Sequence, residues 1–279
     1  MRQTQGSILC PSCHKLIDVD EERCPYCGRW QPGMFGYAPA FQRLNALFDP
    51  IWAITWYSIL LYLLALALDP RGALTGGGGL LGILSPSTRA LFMLGMTYGG
   101  SLGNGHWYTM FSAIFLHGGL LHIGFNLLWI RSLGPPVEDG FGPARTFIIF
   151  MASAVGGFLV SNLVGGAPTV GASGGIFGLL AASVVYGRAH GSRYGDALSR
   201  QALMWAGLLL LLGFMGPHTN NLAHIGGFAA GYLAARSFLP QAETREGPLV
   251  TVGALALALL SVAAVIASLV STVPYFLKG

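Results

Sequence analysis

"NNLAHIGGFAAGYLAA", residues 220–235, carries a small side chain at every fourth position: Ala223, Gly227, Gly231 and Ala235. On a helix these four form one ridge. In lipid such a ridge lets a second helix approach backbone to backbone. An imidazole, His224, sits beside it. A matching small face occurs in "VGASGGIFG", residues 170–178, where Gly171, Gly174, Gly175 and Gly178 surround one hydroxyl, Ser173. If the two faces meet, Ser173 and His224 come within hydrogen-bonding reach. Close packing alone explains such glycines, and so does a nucleophile that needs clearance.

The surroundings are apolar. The chain is 53% hydrophobic and 9% charged, against about 25% charged residues in ordinary soluble domains. Seven stretches reach or approach the ~20 residues that cross a bilayer: about 51–68, 111–130, 146–164, 173–187, 201–216, 222–238 and 248–272. The expected fold is therefore an all-α polytopic membrane protein. The N-terminus is polar and cysteine-bearing, without the pattern of a cleavable signal peptide. With that end inside, twelve Lys and Arg fall on the cytoplasmic side and three (Arg71, Arg89, Lys278) outside. The basic balance thus describes topology, and no nucleic-acid partner is expected. All eleven acidic residues lie outside the apolar stretches, which argues against a proton or cation pump.

Residues 10–27, "CPSCHKLIDVDEERCPYC", hold all four cysteines as two C-x-x-C pairs. Cys10, Cys13, Cys24 and Cys27 suit a tetrahedral four-thiolate zinc site, which folds a segment too short for its own core. "CPSCH" alone also fits a c-type haem attachment, and disulfides would suit the outer side. The second pair and the cytosolic placement favour structural zinc. The reading is a zinc-ribbon-like segment over 1–30 whose partner the sequence does not name, then a linker over 31–44.

The second apolar stretch reads "MFSAIFLHGGLLHIGFNLLWI", residues 110–130. His122 and Asn126, four apart, share a helix face; His117 lies about 140° from His122 at 3.6 residues per turn. One such residue would be read as interhelical glue. Three in one stretch point to a site. From Ser173 to Arg188 the fourth helix spans ~24 Å, less than the ~30 Å hydrocarbon core. That places Ser173 below the outer surface, with "GGAPTV" crossing membrane depth where only a protein-lined or wet cavity tolerates it. His14, His106, His190 and His218 read as loop residues. There is no H-E-x-x-H for a zinc protease and no intramembrane aspartate pair.

Gly171-Ala172-Ser173-Gly174, His122 with Asn126, and Ala223-His224 followed by a glycine-rich helix together resemble rhomboid intramembrane serine proteases, over about residues 45–238. The resemblance implies a six-helix core (45–240), with a linker and an added seventh helix in 241–279. It implies Ser173 as nucleophile and His224 as base. It implies an oxyanion hole of His122, Asn126 and the Ser173 N–H, with Gly171, Gly174, Phe177 and His117 in support. No cofactor is expected for catalysis. The expected partners are transmembrane protein substrates and the bilayer. The expected site is a plasma (inner) membrane, with the N-terminus cytosolic and the active site opening outward. By the same resemblance the fifth stretch, with Trp205, Phe214 and Met215, is a candidate lateral entrance. Tyr108 and Thr109 stand where these proteases usually carry Trp-Arg, and Phe177 where many carry tyrosine. A client-binding relative without strong catalysis, and a channel or transporter, are the other readings weighed.

Overall fold

The computed structural model describes residues 3–11, 13, 15–38, 49–75, 84–215, 219–244 and 246–276. His14, His218, Lys278 and residues 39–44 of the linker lie outside the described residues. The described chain forms a small N-terminal ribbon and a helical bundle.

In the ribbon, β1 (Ser7–Leu9) pairs antiparallel with β2 (Leu16–Asp18), Ile8 opposite Ile17. Ile8, Ile17 and Val19 are buried with Cys10 and Cys24 in a very small core. The first C-x-x-C pair lies between the strands, closed by Cys10 N donating to Lys15 O at 2.9 Å. The second is closed in the same way by Cys24 N donating to Arg29 O at 2.9 Å.

Among the described residues seven long helices follow: α1 (Pro50–Leu68), α2 (Leu120–Phe141), α3 (Pro143–Leu163), α4 (Ser173–His190), α5 (Arg193–Met215), α6 (Asn221–Phe238) and α7 (Pro248–Phe276). Their starts are marked as the chemistry requires. Asp49 caps α1 by accepting from Trp52 N at 3.0 Å, and Pro50 and Pro143 occupy first turns whose N–H groups have no helical partner. Gly142, at φ 89°, ends α2 and lets α3 begin at once.

Among the described residues, α1, α3, α5 and Pro248–Thr272 of α7 are each long and apolar enough to cross a membrane. The second expected span is not one helix. Thr109–Phe115 and Leu120–Phe141 pass the same test only as a pair, bent by 91°. His117 therefore lies in the break and not on the helix that carries His122. Helix α2 also continues through Pro135 and Pro136, so Glu138 and Asp139 lie on its last turns, and α5 begins at Arg193, earlier than expected.

Helices α4 and α6, 18 residues each, are not in that apolar group. Glycine, alanine, serine and asparagine dilute them, and α4 needs no lipid-facing surface. Every residue from Gly174 to Val185 is buried, as expected of a helix with no polar stripe. It forms the axis of the bundle, packed by α2, α3, α5 and α6. The ridge does what its spacing implied. A Cβ added at Gly227 would lie 2.4 Å from Gly174 O, and one at Gly231 2.4 Å from the Gly178 Cα.

Candidate active site

The α4–α6 approach sets the depth of two side chains. Ser173 is the first residue of α4, and His224 lies one turn into α6, 8% exposed. His224 Nε2 is 2.9 Å from Ser173 Oγ. His224 Nδ1 is 3.2 Å from Asn221 Oδ1, and Asn221 Nδ2 donates to Leu210 O at 3.4 Å. With its amide nitrogen so engaged, Asn221 offers oxygen to the imidazole, so Nδ1 carries the proton and Nε2 is left to accept from the serine hydroxyl. Phe177, one turn along α4 from Ser173, stacks beneath the imidazole, 4.5 Å between centroids and 14° between planes. Three neighbours thus fix the ring: a hydroxyl, an amide and an aromatic face. Asn221 is the one that sequence reading missed, because an asparagine at a helix start reads as a cap. The cap is in fact Asn220, which accepts from Ala223 N at 3.1 Å.

His122, on α2, lies against Gly171, two residues before Ser173. Gly118 N donates to its Nδ1 at 3.3 Å, which leaves the proton on Nε2. That atom lies 2.7 Å from where a Cβ on Gly171 would be. Gly171, at φ 125°, is thus required twice, by its backbone and by the imidazole beside it. Asn126, buried, donates through Nδ2 to His122 O at 2.8 Å, and its second amide proton is available to the pocket. His117, fully buried, packs edge-on to His122 at 5.1 Å and its Nδ1 lies 3.2 Å from Phe115 O. It braces His122 and does not line the pocket.

A cavity of about 390 Å³ is lined by Ser173, His224, Asn126 and Phe177 and walled by Phe125, Trp129, Trp205 and leucines of α5, with His122 outside its lining. Trp129 and Trp205 meet edge to face at 5.0 Å across α2 and α5. Trp205 thus belongs to the pocket. Phe214 and Met215, 70% and 76% exposed, are not part of its lining.

The non-helical approach to Ser173 is held by the loop that precedes the short helix Thr109–Ser112. Thr97 and Thr169 exchange backbone bonds at 3.3 and 2.8 Å, Gly99 N donates to Gly166 O at 2.8 Å, and Gly171 N donates to Ala113 O at 2.9 Å. Asn220 Nδ2 adds bonds to Thr169 Oγ1 at 2.8 Å and Ser161 Oγ at 2.6 Å. Irregular backbone at this depth is thereby paired inside protein.

The four cysteine sulfurs all lie within 4.8 Å of one another. Cys10 to Cys27 is 3.8 Å and Cys13 to Cys24 3.6 Å. A tetrahedron with metal–sulfur bonds of ~2.3 Å has edges of ~3.8 Å, so the cluster has the dimensions of a four-thiolate metal site.

Residues 104–241 match the Rhomboid domain. The chain is 30% identical over 159 residues to the rhomboid protease GluP of Bacillus subtilis (strain 168), a match covering 57% of this chain and 31% of that protein. It is 36% identical over 157 residues to RHOMBOID-like protein 5 of Arabidopsis thaliana, covering 54% and 50%. It is 35% identical over 127 residues to the rhomboid protease GlpG of Serratia proteamaculans (strain 568), covering 44% and 45%. The chain spans from 31% to 50% of the length of these relatives. The domain match, the multi-pass helical bundle and the protease-named relatives agree: residues 104–241 of this chain are a domain of the rhomboid family.

Proposed function

We propose that the protein is an intramembrane serine endopeptidase that hydrolyses peptide bonds in or beside transmembrane segments of other proteins. The observation that carries this reading is the 2.9 Å approach of His224 Nε2 to Ser173 Oγ, with the opposite ring nitrogen against Asn221. In the proposed reaction Ser173 Oγ attacks the scissile carbonyl as His224 Nε2 takes its proton. The carbonyl oxygen, now negative, accepts from His122 Nε2–H, an Asn126 amide proton and the Ser173 N–H at the start of α4. Collapse expels the amine, protonated by His224, and leaves an acyl-serine. Water, deprotonated by the same imidazole, then releases the acid.

The apolar walls of the cavity suit a segment that leaves lipid, and its few polar groups converge on one point. The proposed topology keeps the N-terminus in the cytosol of a plasma (inner) membrane and opens the dyad outward. The proposed domain limits are 1–30 for the ribbon, 31–44 for the linker, 45–240 for the core and 241–279 for the last linker and helix. Zinc at Cys10, Cys13, Cys24 and Cys27 would supply folding energy to the ribbon and take no part in hydrolysis.

The test is cleavage of a fluorescent transmembrane substrate by the full chain in liposomes. Ser173→Ala and His224→Ala should each lose at least ~10³-fold in kcat, and a fluorophosphonate should label the wild type only at Ser173. Wild-type cleavage by Ser173→Ala would refute the assignment.

A further inference from the structure

We propose that α7, although it follows the six-helix core, positions the candidate nucleophile by gripping the loop before α2. This inference rests on the hydrolase reading above. Helix α7 carries hydroxyls on its last turns, and their bonding is directional. Ser271 Oγ donates to Ser268 O at 3.0 Å, so at 3.2 Å it accepts from the Tyr108 hydroxyl. Ser268, 2% exposed, donates to Ala264 O at 2.9 Å and turns its oxygen toward the loop. A Cβ on Gly95, at φ 99°, would lie 2.4 Å from that oxygen and 2.2 Å from Ser112 Oγ. Gly95 is thus pinched between the last helix and the short helix Thr109–Ser112.

From there the connection to the dyad is short. Ser112, fully buried, donates to Gly95 O at 2.9 Å. Its neighbour Ala113 accepts from Gly171 N at 2.9 Å. Gly171 abuts His122 and precedes Ser173 by two residues. Elsewhere at this end α7 faces Ala167 and Pro168 across a cleft of about 810 Å³. The grip therefore acts through Gly95 and Tyr108, and not through direct packing on residues 165–168.

The other end of α7 is also fixed. Glu246, just before the helix, accepts from Ala144 N at 3.0 Å and Arg145 N at 2.6 Å, at the start of α3. Buried Arg145 donates to Phe141 O, Gln241 O and Thr244 O at 2.9, 2.9 and 3.0 Å. A helix held at both ends can transmit position; one held by lipid contact alone cannot.

The experiment uses the full chain in liposomes, with substrate kinetics and hydrogen exchange on the same samples. Tyr108→Phe and Ser271→Ala should each lower kcat between about 2- and 10-fold with KM unchanged. The double variant should be no worse than either single one, because both remove one bond. Ser271→Thr, which keeps the hydroxyl, should restore kcat. Ser268→Leu, which wedges Gly95, should lower it further, and Leu259→Ala on the exposed face should not change it. Exchange should quicken in 94–113 in the four impaired variants and stay constant in 174–190. Should α4 exchange rise in Ser268→Leu, that variant is misfolded and Tyr108→Phe, which loses a single oxygen, decides. Multiplicative losses in the double variant, or unchanged exchange in 94–113, would overturn the proposal. Cleavage persisting in Ser173→Ala would instead remove the serine assignment and leave the exchange result to judge the grip.

Discussion

His224 is held by contacts of three kinds, and each constrains a different degree of freedom. Ser173 fixes where Nε2 points, Phe177 fixes the ring plane, and Asn221 fixes the tautomer. Phe177 and Asn221 can both be changed without touching the proposed reacting atoms, and of the two only Asn221 sets the ring proton. Asn221→Ala leaves a buried N–H without an acceptor and frees the proton to move to Nε2, where it would block the serine. It should lower kcat about 10- to 100-fold with KM nearly constant, measured on a transmembrane substrate; wild-type kcat would show that the amide has no orienting role. The polar residues of the pocket were legible in the sequence because a histidine, asparagine or glycine-flanked serine stands out in an apolar run. Asn221 was not, since two adjacent asparagines at a helix start are equal candidates for the cap. Only the fold shows Asn220 turned to Ala223 N and Asn221 turned to the ring.

Among the elements, the α4–α6 contact has the least room to change. Gly227→Ala would drive a methyl against the Gly174 carbonyl, a backbone atom that cannot rotate away. It should destabilise the bundle by about 1–3 kcal/mol and lower kcat as well, because Ser173 and His224 lie at that junction. Gly207→Ala on α5 meets nothing within 4 Å and should leave or raise the melting temperature. Scanning both by thermal unfolding in detergent separates close approach from helix propensity. This contact was readable from spacing, since a period of four is a ridge whatever surrounds it. The bend of 91° before α2 was not, because the stretch is apolar on both sides of His117-Gly118-Gly119 and hydropathy carries no direction. The opposite end of the bundle has its own latch. Glu243 accepts from the Tyr186 hydroxyl at 2.7 Å and meets His190 Nε2 at 2.8 Å. The Tyr186 bond first, and His190 second, hold the Glu243 carboxyl below its ordinary range. A lowered acid pKa means that the contribution is present above the unfolded value and is lost as pH falls through the folded one. Wild type should therefore melt above Glu243→Gln at neutral pH, and the gap should close as pH drops below about 4. A gap that persists in acid would assign the latch to shape instead of charge.

At the scale of the whole molecule, the two ends of the bundle differ in chemistry. One end gathers Ser173, His224, His122 and the paired loops. The other gathers Asp49, Arg131, Glu138 and Asp139 around one cleft, with Arg131 4.3 Å over the Trp52 ring. Helix α1 begins at this charged end, and the sequence before it holds no apolar stretch of the ~20 residues that cross a bilayer. Lys and Arg retained on the cytosolic side would then put ribbon and dyad on opposite faces of the membrane. The four cysteines make this testable without engineering, because the chain has no others. In sealed inside-out vesicles an impermeant chelator should release the metal, after which an impermeant maleimide should label the ribbon. In right-side-out vesicles the same reagents should label nothing until detergent is added. The ratio of labelling between the two preparations reads the orientation directly, and equal labelling before detergent would overturn it. Substrate cleavage should continue through the chelator step, because the proposed reaction is carried by an imidazole and a hydroxyl at the far end of α4 and α6. Loss of cleavage on chelation, restored by zinc, would tie the ribbon to the chemistry and contradict a purely structural metal.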